Sequence, residues 1–205
     1  MATPIADDKT PARRKILTAA RTLFTTAGYA STTIKAIATE AGVAVQTVYF
    51  VFGNKRTVLA ALLDVSIAGD DEPIATLDRP WVAEAVAEPD PLTQLRIQVY
   101  AARLILDRVA PVLLAVRAAA GADPEVAQLW QTTCEHHETV LRHLMTALAG
   151  KVDGLDVDRC VDVGLALQSP ETHALLIDER GWSATDYDDW VVEALAAAAG
   201  IANRR

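Results

Sequence analysis

The fold is decided by residues 33–55, which read TIKAIATEAGVAVQTVYFVFGNK. Apolar residues recur there at helical spacing in two short runs, 34–41 and 45–52, separated by Gly42 and its neighbours. Thr33 can cap the first helix, because its hydroxyl can accept a hydrogen bond from a backbone N–H of the first turn. Two short helices joined by such a turn are the elements of a helix-turn-helix.

The second helix, 45–52, has residue types that suit a helix lying in the major groove of DNA. Gln46 and Thr47 can present polar groups to base edges, while Val48 packs inward. Tyr49 and Lys55 are placed for phosphates, Tyr49 through its hydroxyl and Lys55 through its charge at the start of the next helix. The pattern therefore predicts a DNA-binding module.

Charge is distributed unevenly along the chain, whose formal net charge is −8. Residues 1–60 hold eight basic and three acidic side chains, a net charge of +5, so residues 61–205 carry −13. A small basic part joined to a large acidic body indicates that the first part meets a polyanion.

This part of the chain resembles the N-terminal signature of the TetR family of transcription regulators, through the pattern Thr33-Ile34-x-x-Ile37-Ala38-x-x-Ala41-Gly42-Val43-x-x-x-Thr47-Val48-Tyr49-x-x-Phe52-x-x-Lys55. The likeness runs from about Arg13 to Leu63, and residues 170–190 resemble a C-terminal segment of many actinobacterial members. One departure is Ala44, where many relatives have a serine that caps the recognition helix. The residues predicted to contact DNA are Thr33, Val45, Gln46, Thr47, Tyr49, Phe50 and Lys55.

The resemblance implies a homodimeric regulator, usually a repressor, whose C-terminal body binds a small molecule and then releases its DNA operator. Residues 1–60 would be the helix-turn-helix domain, and 61–205 a helical domain for effector binding and dimerisation. An effector-free DNA-binding dimer, or an architectural module with a solid C-terminal core, is the alternative. A plain three-helix packing unit with a basic face is a weaker reading of the first 60 residues.

Helical periodicity continues through the rest of the chain, which predicts an all-α fold of about ten helices. Helix starts are marked where a capping side chain precedes a proline, at Asp90, Asp123 and Ser169. Ser183 and Asp186 have the spacing of a capping box. A helix is predicted from Pro91 to Asp107, and it is apolar around most of its circumference.

An effector pocket is predicted in the body between about Pro80 and Gln168. His137 lies near the centre of the apolar face of helix 124–149, where it is either a core histidine or a pocket histidine. A metal site is disfavoured, because His136 and His143 lie at the polar edge of this face and do not point to the same place as His137. Arg96 and Arg103 suit salt bridges, with contact to an anionic ligand as the minority reading. The predicted pocket residues are Tyr100, Arg103, Leu104, Trp130, Cys134 and His137.

A dimer interface is predicted around 157–168 and 184–200, because helix 157–168 is apolar on two faces and can serve two partners. Gly164 and Ala166 would allow close approach of a second subunit; the alternative is a helix buried within one subunit. The interface residues predicted are Val157, Val161, Gly164, Leu165, Val191 and Leu195.

Composition excludes several classes of protein. With 51% hydrophobic and 22% charged residues the chain fits a globular protein, and no apolar run approaches the ~20 residues of a membrane span. Its first eleven residues lack a secretory signal, so we expect a cytoplasmic protein. Two cysteines form no disulfide framework. Without a nucleotide loop, a dinucleotide fingerprint or a nucleophile elbow, we expect neither an enzyme nor a cofactor.

Overall fold

A computed structural model describes residues 11–70, 72 and 74–201, and in this part of the chain all regular structure is helical. The helices are α1 (Pro11–Thr26), α2 (Ile34–Ala41), α3 (Val45–Phe52), α4 (Lys55–Ala68), α5 (Pro80–Ala87), α6 (Pro91–Ala120), α7 (Pro124–Ala149), α8 (Val157–Leu167), α9 (Pro170–His173) and α10 (Ala184–Ala198). A 3-10 turn, Thr76–Asp78, precedes α5, and a π-helical segment, Ala174–Glu179, follows α9. The all-α prediction is confirmed.

Helix starts follow the capping residues that the sequence marks. The Asp90 carboxylate accepts a hydrogen bond from Thr93 N at 2.8 Å, and Asp123 accepts one from Glu125 N at 3.0 Å. Ser183 and Asp186 form both hydrogen bonds of the predicted capping box. These side chains satisfy backbone N–H groups that the first turn leaves unpaired.

Helix α6 is longer than predicted. It does not end at Asp107 but continues through Pro111 to Ala120. A proline within a helix removes one backbone hydrogen bond, which is why a sequence reading stops before it. Alanines and branched apolar residues on both sides of Pro111 continue the helical pattern.

Contacts divide the chain into two compact units, and the division falls within α6 and α7. The first unit holds the described residues up to Glu72 and Pro111–Gln131. Its α1 packs on α2 and α4, and α2 packs on α3. Its buried side chains include Ile16, Phe24, Ile37, Val48, Leu59, Leu63, Val112, Val116 and Val126. The predicted boundary at residue 60 separates a DNA-binding domain from an effector-binding domain by function. It stays a prediction, because the two units are defined by packing alone.

The second unit comprises the described residues of 73–110 and 132–201. Its core is built by α5, α6, α7, α8 and α10, and contains Val82, Leu95, Val99, Leu141, Leu144, Met145, Leu148, Cys160, Val161, Tyr187, Val191 and Leu195. Gly164 lets α8 approach α7 closely, because an added Cβ would lie 3.3 Å from both δ-carbons of Leu141. This close approach is made within one subunit.

In the described part of the chain, no single helix is both long and apolar enough to cross a membrane; α2 and α3 taken together pass on length and composition, with a bend of 109° between them. Asp7, Asp8 and Lys9, whose charges entered the count for 1–60, lie outside the described residues, as does most of the segment read for a secretory signal.

Candidate nucleic-acid interface

Helices α2 and α3 have the geometry of a helix-turn-helix. The Thr33 hydroxyl caps α2 by accepting a hydrogen bond from Ala36 N at 3.1 Å. Gly42 ends α2 with φ of 64°, a left-handed conformation that glycine adopts without strain. The axes of α2 and α3 differ by 109°, within the usual range of about 90 to 120° for this motif. At the start of α3, Ala44 makes no side-chain capping bond, as the departure at this position implies.

One face of α3 is buried and the other is open. Val48 is fully buried and Phe52 nearly so, and they hold α3 against the first unit. On the opposite side Gln46 is exposed, Tyr49 is 53% exposed and Phe50 is 72% exposed. Thr47 and Val45 lie at the edges of this open face, half-buried, and Thr33 is exposed at the start of α2. The DNA-contact residues predicted on α3 are thus brought to one surface and its edges.

Lys55 has contacts that the sequence did not indicate. Its Nζ donates hydrogen bonds to the carbonyl oxygens of Tyr29 at 2.8 Å and Thr32 at 2.9 Å, and lies 4.0 Å from the centre of the Tyr29 ring. Burial lowers the pKa of Lys55 from its ordinary value. Two of the three N–H donors of the ammonium group therefore bind the turn between α1 and α2, and its predicted phosphate contact is left to the third.

Arg103 lies in a network of ion pairs in the second unit. Its Nε is 2.9 Å from both carboxylate oxygens of Asp188, and its Nη1 is 2.6 Å from Asp107. His173 Nε2 contacts the other oxygen of Asp107 at 2.9 Å. Burial disfavours the charge of Arg103, but the hydrogen bond and charge of Asp188 outweigh it and raise the pKa of the guanidinium. This network joins α6, α9 and α10. Within it Arg103 forms salt bridges, as its sequence position suggested.

The other predicted pocket residues have different surroundings. Tyr100 is 55% exposed, with the Arg103 guanidinium 5.3 Å from its ring centre. Leu104 and His137 are half-buried, Cys134 is exposed, and burial lowers the pKa of His137. Trp130 belongs to the first unit and has the Arg117 guanidinium 5.7 Å from its ring. The six residues therefore divide between the two units.

A cleft of about 460 Å³ lies within the first unit, and none of the six predicted pocket residues lines it. It is lined by the end of α1, the turn that follows, and α6 from Pro111 onward, through Phe24, Thr25, Ala27, Gly28, Tyr29, Ala30, Ser31, Pro111, Leu114, Ala115, Ala118 and Ala119. The space is left by small side chains, and the lining residues include no lysine, arginine, aspartate or glutamate. The sequence signal that could have indicated it is the cluster of alanines on one stretch of α6.

The second unit also buries polar atoms that have no hydrogen-bond partner among the described residues. Both amide atoms of Gln98 are in this state, as are Gln168 Oε1 and His173 Nδ1. Gln98 and Gln168 are each 2% exposed. Buried amides are almost always hydrogen-bonded, so a water molecule or a ligand group is needed at these places. Sequence reasoning missed both glutamines, which the helical pattern places among apolar residues.

The predicted interface residues fall into two groups. Val161, Val191 and Leu195 are at most 1% exposed in the core of the second unit, and Gly164 packs on Leu141 there. These four have no surface from which to contact another subunit, because their neighbours on α7, α8 and α10 cover them. Val157 and Leu165 are half-buried and retain accessible surface.

Comparison with known proteins agrees with the helix-turn-helix geometry. Residues 16–62 match the family model described as bacterial regulatory proteins, tetR family. Over these residues the chain is similar to the DNA-binding domain of TetR-family transcription regulators. A search of the curated proteins found no match.

Solved structures resemble the chain over most of its length. The transcriptional regulator FadR from Bacillus subtilis, solved with stearoyl-CoA, is 19% identical with a TM-score of 0.71, covering 90% of this chain and 98% of that one. The fatty acid degradation regulator FadR from Bacillus halodurans is 19% identical with a TM-score of 0.67, covering 91% and 95%. A regulator from Saccharomonospora viridis, solved with choline, is 22% identical with a TM-score of 0.65, covering 89% and 94%. At these identities the likeness establishes the shared fold.

Proposed function

We propose that the protein is a cytoplasmic, homodimeric repressor that binds an inverted-repeat operator and is released from it by a small molecule. The observation that carries the DNA-binding half of this proposal is the open face of α3, where Gln46, Tyr49 and Phe50 lie together above a buried Val48. A recognition helix needs this division, because one side must pack on its own domain while the other enters the major groove. The net charge of +5 over residues 1–60 favours approach to DNA.

Each exposed polar group on α3 has a separate proposed role. Gln46 can pair through its amide with an adenine edge, which distinguishes base pairs. The Tyr49 hydroxyl contacts a phosphate, which strengthens binding to every sequence alike. Two such helices in a two-fold dimer meet half-sites about 34 to 36 Å apart, or a little more, so the operator is an inverted repeat.

The test of DNA binding begins with selection of bound duplexes from a random pool, followed by titration of the selected operator. Gln46→Ala should change the base preference at one position of each half-site, at a cost of about 1 to 3 kcal/mol. Tyr49→Phe should weaken all duplexes equally. Gln128→Ala, at an exposed glutamine of α7, is the matched control and should change neither. Equal, sequence-independent losses for Gln46→Ala and Tyr49→Phe would contradict these roles.

The effector is proposed to be a small, mostly apolar molecule. Support comes from the Gln98 amide and from Gln168 Oε1, which are buried and lack hydrogen-bond partners among the described residues. Tyr100, Leu104, Cys134 and His137, all in the second unit, remain the proposed lining, whereas Arg103 already has carboxylate partners. The 460 Å³ cleft in the first unit is a second place of suitable size, since ligand sites commonly measure about 300 to 1,000 Å³.

Thermal-shift screening against small molecules, followed by DNA titration with each hit, tests the release. Coupling between effector and operator is typically about 1 to 3 kcal/mol, so a true effector should weaken DNA binding by about 5- to 150-fold. Leu104→Ala should reduce this response if the predicted pocket is occupied, and Ala118→Leu should reduce it if the cleft is. If no compound shifts both melting and DNA affinity, the effector-free dimer is the better description.

A further inference from the structure

Phe50 is the most exposed large apolar side chain that the structure describes, at 72% of its surface. It lies in the middle of α3, between residues that hold the helix to its domain. Exposure of a phenyl ring is unfavourable in water, and single exposed apolar residues are ordinary on protein surfaces. At this position, however, the ring lies on the face that the proposed function directs into the major groove.

The position of Phe50 relative to Gln46 follows from helix geometry. Residues four apart differ by about 40° around the axis and by about 6 Å along it, so the two side chains stand side by side. Tyr49 lies on the other side of Gln46, about 60° away. A base-pair step measures about 3.4 Å, so the Gln46 amide and the Phe50 ring reach base pairs one or two steps apart.

We propose that Phe50 packs against the 5-methyl group of a thymine in each half-site and makes operator recognition depend on that methyl group. This inference rests on the proposed function, in which α3 enters the major groove. A phenyl ring has no hydrogen-bond donor or acceptor, so it cannot read the polar pattern of a base edge. The thymine methyl is the apolar group on the base edges of the major groove, and Phe is among the side chains that contact it.

The proposal predicts a dependence on one methyl group, which base analogues can test. Each thymine of the selected operator is replaced in turn by deoxyuridine, which keeps the base pairing and removes only the methyl group. At one position the full-length protein should lose about fourfold in affinity per half-site, and about fifteenfold when both half-sites are changed, since burial of one methyl is worth about that factor. A guanine pair with 5-methylcytosine at that position should bind more tightly than one with cytosine.

Variants at position 50 assign the effect to the ring. Phe50→Ala should bind the thymine and deoxyuridine operators equally, whereas Phe50→Leu should keep part of the preference. Both should fold normally, because the side chain is mostly exposed, and circular dichroism checks this. Ile74→Ala, at another exposed apolar residue, should keep the parent's full preference.

Three outcomes would overturn the proposal. One is that no thymine-to-deoxyuridine change weakens binding by the parent protein. Another is that Phe50→Ala retains the same thymine preference. The third is that Phe50→Ala weakens all duplexes equally, in which case the ring contacts the DNA backbone or a protein partner. Failure of the parent protein to bind any duplex would instead refute the proposed function itself.

Discussion

Lys55 begins the helix after the helix-turn-helix and binds the turn between α1 and α2. Its charge therefore has two proposed roles, to hold this turn and to contact a phosphate, and its replacement can distinguish them. We expect Lys55→Met, which keeps an unbranched side chain and removes the ammonium group, to loosen the turn formed by residues 28–33. The variant loses hydrogen bonds to the Tyr29 and Thr32 carbonyls and the contact with the Tyr29 ring.

The magnitude follows from these contacts. A hydrogen bond to a charged group is worth about 1.5 to 3 kcal/mol when buried. Lys55 is half-buried, so water partly replaces each bond, and we expect a local loss of about 2 kcal/mol in total. A loss of this size corresponds to a roughly 30-fold decrease in the protection of amide hydrogens that exchange by local opening of the turn.

Hydrogen exchange with mass spectrometry, on peptides that span the α1–α2 turn, measures this loss directly. Lys15→Met removes an exposed lysine from α1 and should leave the protection of the turn unchanged. The salt dependence of DNA binding measures the other role, because loss of one phosphate contact lowers the slope of log K against log salt by about 0.9. Protection within twofold of the parent, together with a slope lowered by 0.9, would refute the structural role.

Three further predictions concern the second unit. Arg103→Met should lower the free energy of unfolding by about 2 to 4 kcal/mol, as measured by thermal unfolding. This is less than the about 3 to 5 kcal/mol lost when a fully buried ion pair is broken, because the Asp188 side chain is 20% exposed. Adding Asp188→Asn to the same chain should recover part of the loss. Because burial lowers the pKa of His137, its protonation favours the unfolded chain, so stability should fall as pH decreases from 6.5 to 5. His137→Asn should flatten this slope, and an unchanged slope in this variant would contradict the assignment. Leu165→Arg should turn the proposed dimer into a monomer in light scattering, and an unchanged mass would reject this interface.

The fold could be predicted from the sequence because its signals are local. A capping oxygen followed by an apolar helical repeat identifies a helix start without knowledge of its partners, as at Asp123 and Ser183. The open face of α3 was predictable for the same reason, since residues 46, 49 and 50 differ from 48 in direction within a single helix.

The functional surfaces of the second unit could not be predicted as well, because they depend on which helices meet. Val161 and Leu165 both lie on apolar stripes of α8, yet only Val161 is enclosed by the core. The sequence shows that α8 is apolar on two sides and does not show which side its own subunit covers. Likewise, Arg103 is paired by carboxylates 4 and 85 residues away, and only the nearer one is visible in a helical pattern.

The turn between α1 and α2 is where the separate features of the first unit meet. Gly28 begins the turn with φ of 82°, and its carbonyl accepts a hydrogen bond from the Thr32 hydroxyl at 2.8 Å. Lys55 binds the turn from α4, and the 460 Å³ cleft lies beside it. Because Thr33 caps α2 directly after this turn, the position of the turn determines where α2 begins, and α2 packs on the recognition helix. The two hydrogen bonds of Lys55 therefore tie the start of α4 to the turn that sets where α2 begins, and α2 packs on α3.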